Sequence, residues 1–195
     1  MNRWKSVAIH EAGHVRIAYD FGMQLKRIEL YQDKKTNEPR GEVQRRESYI
    51  FPPDPLPQTE GENERFLISH CEQLAFVAAG FVAEYMFSGP EQFWKNNPGD
   101  FREYPDIDNL IVWGGHKLGE ETFANILRAV SKHLSKPEIW SSVKATAELI
   151  EKKRKLSNIP YTTMATSDPG AVPEHDPQSF ISNLVRLVYE DQPDD

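Results

Sequence analysis

Three residues near the start of the chain combine the ligands of a metal centre with a general base. His10, Glu11 and His14 form the pattern His-Glu-x-x-His. Residues four apart share one face of an α-helix, so both imidazoles can bind one metal ion while Glu11 reaches the water on that ion. Neutral imidazoles with an open coordination position favour Zn2+, which lowers the pKa of a bound water to about 7. The chemistry indicated is hydrolysis, with Glu11 taking the proton of the water.

The context of this motif separates it from a chance match. Short patterns of this kind also arise in chains where no helix surrounds them. Here apolar residues recur every three or four positions over 4–21, which predicts an amphipathic helix. A third protein ligand has to come from elsewhere. Four histidines lie outside the motif, in contexts typical of surface or half-buried residues: His70, His116, His133 and His175. The thirty carboxylates are too many for composition alone to indicate which of them is a ligand.

The elements that must position the motif belong to a mainly α-helical fold with a small β-sheet. Periodicity and turn residues predict these elements in order: helix 4–21, strand 24–32, strand 42–50, helix 62–87, helix 105–113, helix 120–133, helix 137–156 and a short helix 180–190. Loops are predicted at 51–61, which is rich in proline, and at 88–104 and 157–178. The helix 62–87 is the most apolar segment and is expected to be buried.

Length and charge limit the class of protein. The 195 residues suit one domain, with a core at 4–156 and a C-terminal loop and short helix at 157–195. The net charge of −7 argues against binding to nucleic acid or to anionic membranes. Cys71 is the only cysteine, the longest apolar run is too short for a bilayer span, and no secretory signal pattern opens the sequence. We therefore expect a soluble cytoplasmic protein without an internal disulfide.

Five sequence blocks carry a family resemblance. In order they are VAIHEAGH at 7–14, KRIEL at 26–30, RGEV at 40–43, AGFVAEYMFSG at 79–89 and DIDNL at 106–110. Together, and with approximately the same spacing, they resemble the peptidase domain of the FtsH family, the membrane-bound ATP-dependent zinc proteases. The resemblance covers about 5–115 and implies an FtsH-like fold with a zincin-type active-site helix.

The resemblance also implies roles for individual residues. His10 and His14 would be zinc ligands, Glu11 the general base and Asp106 the third ligand, at the start of a helix. Asp108 and Asp100 remain alternatives to Asp106. Glu84, in the fourth block, would either support the metal ligands or form a salt bridge on the helix surface.

Two departures from the family pattern affect what can be expected. Phe81 stands where the family has arginine, and Glu103, Tyr104 and Pro105 precede Asp106 in place of small residues. These 195 residues also contain no Walker-type phosphate loop and no apolar run long enough for a membrane anchor. We therefore expect a stand-alone, ATP-independent zinc metallopeptidase that cleaves flexible or unfolded polypeptide, or that works with a separate ATPase or adaptor. The family's oligomeric state is not carried over.

Two other functions compete with this one. The first is a metal-binding regulatory or interaction module with an FtsH-like fold and little or no proteolytic activity. The second is a helical protein that binds no metal. For the peptidase, we expect an extended substrate to pair with an edge of the sheet formed by 24–32 and 42–50.

Overall fold

A computed structural model describes residues 2–46, 59–96 and 120–157, and within these ranges the chain forms five helices and three strands. Among the helices in these ranges, none is long and apolar enough to cross a membrane. The expected mainly helical fold with a small sheet is confirmed. The order of elements is α1 (Arg3–Asp20), β1 (Leu25–Gln32), β2 (Pro39–Arg45), α2 (Glu60–Ser88), α3 (Pro90–Asn96), α4 (Glu120–Leu134), α5 (Pro137–Lys153) and β3 (Lys155–Ser157).

Side-chain caps and glycines set the ends of the two longest helices. The Asn2 side chain accepts a hydrogen bond from the backbone of the first turn of α1. Thr59 and Glu62 form a capping box that starts α2, with each side chain bonded to the backbone N–H of the other residue. Gly22 follows the C-terminus of α1 and Gly89 follows that of α2, both with positive φ. The backbone can therefore turn away sharply after each helix.

The three strands form one antiparallel sheet in the order β2-β1-β3. Ile28 of the central strand β1 lies opposite Val43 of β2 and Leu156 of β3. In the turn between β1 and β2, the Asp33 carboxylate accepts hydrogen bonds from two backbone N–H groups, which lower its pKa. The same turn contains Asn37 in a left-handed conformation, a state that asparagine tolerates.

Helix α1 lies at the centre of the described structure, packed against α2, α5 and strand β2. Gly13 allows α1 and α2 to approach closely. A Cβ atom at this position would lie 2.7 Å from the Cβ of Ala83 and still nearer to the carbonyl oxygen of Ala79. Because of this packing, most of α1 is buried, including polar residues that an isolated amphipathic helix would expose.

Helix α3 lies within the segment 88–104 that was predicted to be a loop, so that prediction is wrong there. Pro90 begins the helix, where a missing N–H has no cost. Phe93 is fully buried and anchors the helix, and Lys95 forms an ion pair with Glu91 at 2.7 Å. The segment was predicted to be a loop because it is rich in glycine, proline and asparagine, and a short helix held by one buried side chain leaves no clear apolar periodicity.

The ends of three other predicted elements also need correction. Helix α5 ends at Lys153 rather than at 156, because Arg154 adopts a left-handed conformation and the following residues pair with β1 as β3. Strand β2 begins at Pro39 rather than at 42, and α2 begins at Glu60, inside the predicted loop 51–61. The predicted helices 105–113 and 180–190 lie outside the described residues.

Candidate metal centre

The His-Glu-x-x-His motif lies in the middle of α1, as the sequence predicts. Its two histidines face the same way, with their Nε2 atoms 3.2 Å apart. The side chain of His10 is 13% exposed, and His14 and Glu11 are buried. The motif is therefore held in a largely enclosed position, open at the side of His10.

Each imidazole is oriented by a hydrogen-bond acceptor at its Nδ1 atom. Nδ1 of His14 lies 2.7 Å from the backbone carbonyl oxygen of Phe76, and Nδ1 of His10 lies 3.3 Å from Oε2 of Glu84. Since a carbonyl or carboxylate oxygen accepts, these partners assign the proton to Nδ1 in both rings. With the proton on Nδ1, each ring directs an Nε2 lone pair toward the other ring, and a cation bound between them would remove the repulsion.

The distance between the two nitrogens suits a zinc ion. Nitrogens bound at about 2.0–2.1 Å to one tetrahedral zinc lie about 3.3 Å apart, close to the 3.2 Å observed. Metal-binding histidines commonly donate their second N–H to a carboxylate or a backbone carbonyl, as both rings do here. The donor set of His10 and His14 therefore fits zinc.

Gly80 of α2 lies directly against the two histidines. A Cβ atom on Gly80 would come within 2.6 Å of Nε2 of His10 and nearer still to Nε2 of His14. Any larger residue would push the rings away from their present positions. Gly80 therefore makes the space in which the two nitrogens converge, a role that the sequence block at 79–89 did not reveal.

Glu11 lies against strand β2 through a second glycine. A Cβ atom on Gly41 would overlap the Glu11 carboxyl group, whose Cδ atom would be 2.6 Å away. The absence of a side chain on Gly41 thus lets the backbone of β2 pass directly over the candidate general base. This contact gives a structural reason for glycine in the RGEV block.

The candidate third ligands are not placed by the structure. Asp106, Asp108 and Asp100 lie outside the described residues, so each remains a prediction. Within 2–46, 59–96 and 120–157, no group of three or more His, Cys, Asp or Glu side chains could hold a metal ion. A third ligand for a metal at His10 and His14 would therefore have to come from another segment.

Supporting contacts around the motif were only partly foreseen. Glu84 is buried and lies against His10, so the alternative of a surface salt bridge is wrong. The backbone carbonyl of Phe76 was missed because any residue type supplies such a group. Phe81, at the position where the family that the sequence resembles has arginine, is buried and packs edge-on against Phe93 with ring centroids 4.9 Å apart.

His133 is buried, not at the surface or half-buried as the sequence indicated, so that expectation is wrong. Its Nε2 atom lies 2.8 Å from Oδ2 of Asp20, the last residue of α1. The guanidinium of Arg16 donates to both oxygens of the same carboxylate. The three side chains form a buried cluster between α1 and α4, away from the histidine pair of the motif.

The only cysteine offers no alternative nucleophile. Cys71 is fully buried in α2, and burial, with a smaller effect of the charge of Glu72, raises the pKa of its thiol to about 12. Burial also raises the pKa of the Glu72 carboxyl. Because the reactive form of cysteine is the thiolate, this protonated thiol is a packing residue.

Comparisons of the chain with protein-family models, with curated proteins and with solved structures find no match. The likeness to the FtsH peptidase domain therefore rests on the five sequence blocks, and function has to be inferred from the side chains that meet around α1.

Proposed function

We propose that the chain is a zinc-dependent metallopeptidase that hydrolyses peptide bonds in flexible or unfolded polypeptide. The observation that carries the proposal is the convergence of two Nε2 atoms at 3.2 Å, on rings that are both oriented from Nδ1. Glu11 adjoins His10 on the same helix and is buried. Asp106 is the proposed third ligand on the strength of the family resemblance, with Asp108 and Asp100 as alternatives.

The chemistry follows from the groups on α1. A zinc ion held by His10 and His14 would supply a bound water of lowered pKa and would polarise the substrate carbonyl. Glu11 accepts the proton of the water and returns it to the leaving amine. Its contact with Gly41 holds the carboxylate beside the backbone of β2, so the base is positioned before substrate binds.

The position of strand β2 indicates the substrate class. In the described sheet, β2 is an outer strand, and its Gly41 backbone adjoins Glu11. An extended polypeptide that pairs with the outer edge of β2 would pass its own backbone next to the general base, whatever its side chains. Such pairing requires an unfolded segment. A complex with a peptide inhibitor that makes no contact with β2 would exclude this binding mode.

The decisive experiment combines metal analysis with a single substitution. Purified protein is expected to contain about one zinc per chain and to cleave casein or unstructured peptides without ATP until a chelator is added. Glu11→Gln should retain zinc and lose hydrolysis by a factor of about 10²–10⁴. Glu91→Gln serves as the control, because Glu91 is an exposed residue of α3 paired with Lys95.

The possible results distinguish the peptidase from the other functions. Protein without zinc, or a Glu11→Gln variant that cleaves at the wild-type rate, would refute the proposal. Zinc bound without cleavage of any unstructured substrate would instead support the regulatory module. Asp106→Asn should weaken zinc binding, and an unchanged zinc content would direct the same substitution to Asp108 and Asp100.

A further inference from the structure

Two serine hydroxyls form a chain of hydrogen bonds that ends at the carboxylate in contact with His10. Ser6 Oγ donates to Oε1 of Glu84 at 2.9 Å, while the other oxygen, Oε2, lies 3.3 Å from Nδ1 of His10. Ser88 Oγ lies 3.3 Å from Ser6 Oγ. Ser6 is fully buried and Glu84 is buried, so these bonds lie away from bulk water.

The direction of each hydrogen bond in this chain follows from its chemistry. A hydroxyl has one proton to donate, and the proton of Ser6 goes to the Glu84 carboxylate. Ser6 then accepts from Ser88, so donors point in one direction from Ser88 through Ser6 to Glu84. Hydrogen bonds aligned in series strengthen one another in a buried setting.

We propose that Ser6 is a positioning residue for the metal ligand His10, acting through Glu84, with Ser88 orienting the Ser6 hydroxyl. Hydrogen bonds to both oxygens restrict the rotation of a carboxylate about its terminal bond. The Ser6 bond fixes the plane of the Glu84 carboxylate, so that Oε2 keeps the His10 proton on Nδ1 and leaves Nε2 as the metal-binding atom. The inference rests on the proposed zinc site, but it does not depend on hydrolysis.

The test measures the ring of His10 separately from metal binding. In the metal-free full-length protein, nitrogen-15 chemical shifts report whether Nδ1 carries a proton. Ser6→Ala should increase the fraction of His10 with an unprotonated Nδ1. Nδ1 of His14 should keep its proton, because it donates to the backbone carbonyl of Phe76. The Nδ1 shift of His14 is thus an internal control for general disturbance of α1.

Zinc affinity provides the second measurement. Ser6→Ala should weaken zinc binding about 10-fold, the lower end of the range for groups that support metal ligands. Ser6→Thr, which keeps the hydroxyl, should recover part of this loss. Ser135→Ala is the control, because that exposed hydroxyl donates only to the backbone carbonyl of Lys132 in the described structure.

The inference would be overturned if a folded Ser6→Ala variant kept both the nitrogen-15 shifts of His10 and the zinc affinity of the wild-type protein. Should Ser6→Ala fail to fold, Ser88→Ala decides, with a smaller change at His10 expected and no change refuting the role. A wild-type protein that binds no zinc would refute the proposed function, while the His10 shifts in Ser6→Ala would still decide whether the serine holds the ring.

Discussion

Two carboxylate-histidine pairs with buried carboxylates lie along α1, and they differ in the other group that binds the carboxylate. Toward the N-terminus, Glu84 of α2 contacts His10 at 3.3 Å. At the C-terminus, Asp20 contacts His133 of α4 at 2.8 Å. Both carboxylates are almost completely enclosed. Their similar chemistry makes the difference in their other partners informative.

The Asp20 carboxylate has a fixed cation as its second partner. Arg16, one turn earlier on α1, binds both of its oxygens, and both side chains are at most 3% exposed. An acidic residue at the end of a helix faces the negative end of the helix dipole, so this arginine offsets an unfavourable position. The charge of Asp20 is thus balanced within the chain.

The Glu84 carboxylate instead accepts a hydrogen bond from a serine hydroxyl, which is in turn bonded to a second one. Ser6 donates to this carboxylate, and its histidine partner His10 points its other nitrogen at His14. A cation bound between those two nitrogens would balance this region as Arg16 balances the other one. Among the described residues, the Asp20 cluster thus joins a carboxylate to an arginine, whereas the Glu84 cluster orients His10 toward His14, as the proposed zinc site requires.

The largest expected effect is on stability, in Asp20→Asn. This substitution leaves the buried Arg16 without its carboxylate partner, and breaking such a pair costs about 3–5 kcal/mol. Denaturant unfolding of the metal-free protein measures the loss, and Glu91→Gln is the control, because it removes the charge of an exposed carboxylate. The zinc affinity of the folded fraction should not change, because the Asp20 cluster is separate from His10 and His14.

The thiol of Cys71 gives an independent measure of the same variant. It is fully buried with a pKa of about 12, so alkylation of the native protein should be slow. Loosening of the core in Asp20→Asn should accelerate the reaction. An Asp20→Asn variant with wild-type stability and weakened zinc binding would reverse the assignment of the two clusters.

The second-largest effect is expected on zinc affinity, in Gly80→Ala, which should weaken metal binding with little change in stability. The added Cβ would collide with both Nε2 atoms, so zinc affinity should fall at least about 100-fold, the upper end of the effect of groups that support metal ligands. Alanine also favours a helix over glycine by about 1 kcal/mol. The metal-free variant is therefore expected to unfold at or near the wild-type denaturant concentration.

Gly61→Ala is the matched control for this substitution. Gly61 lies in the same helix, and a Cβ there would meet nothing within 4 Å. It should bind zinc with wild-type affinity. Equal affinities of the two alanine variants would show that the space beside Gly80 is not the metal position.

The sequence was sufficient to predict the features that depend on local patterns. The periodicity around His10 and His14 predicted α1, and the spacing of the motif predicted that the two rings share a face, as they do. Apolar periodicity predicted α2, and apolar residues with flanking turn residues predicted β1, each to within two residues. These features depend on neighbours within a few positions along the chain.

Long-range partners were beyond the same reasoning. Nothing in the sequence near His133 indicated that it meets Asp20, more than a hundred residues away. The carbonyl of Phe76 has no sequence signature, and the space left by Gly80 and Gly41 depends on how separate elements pack. The short strand β3 was missed because its strand character comes from pairing with β1 rather than from its own composition.

The smallest effect, and the sharpest test of the comparison, is expected in Glu84→Gln. The amide can turn its oxygen toward Nδ1 of His10 and its NH2 group toward Ser6, which then accepts, so the hydrogen bonds survive while the charge is lost. Zinc affinity should fall about 10-fold, near the lower limit for such supporting groups. The metal-free protein should lose at most about 1 kcal/mol, since no hydrogen bond is left unmade.

Zinc titration and denaturant unfolding of Glu84→Gln and Asp20→Asn therefore give a crossed pattern. One variant loses affinity with little loss of stability, and the other loses stability at unchanged affinity. Two amide variants that behave alike would mean that both carboxylates are structural. The contrast drawn between the two clusters would then be wrong, because a metal held by His10 and His14 should make zinc affinity sensitive to the charge of Glu84 and insensitive to that of Asp20.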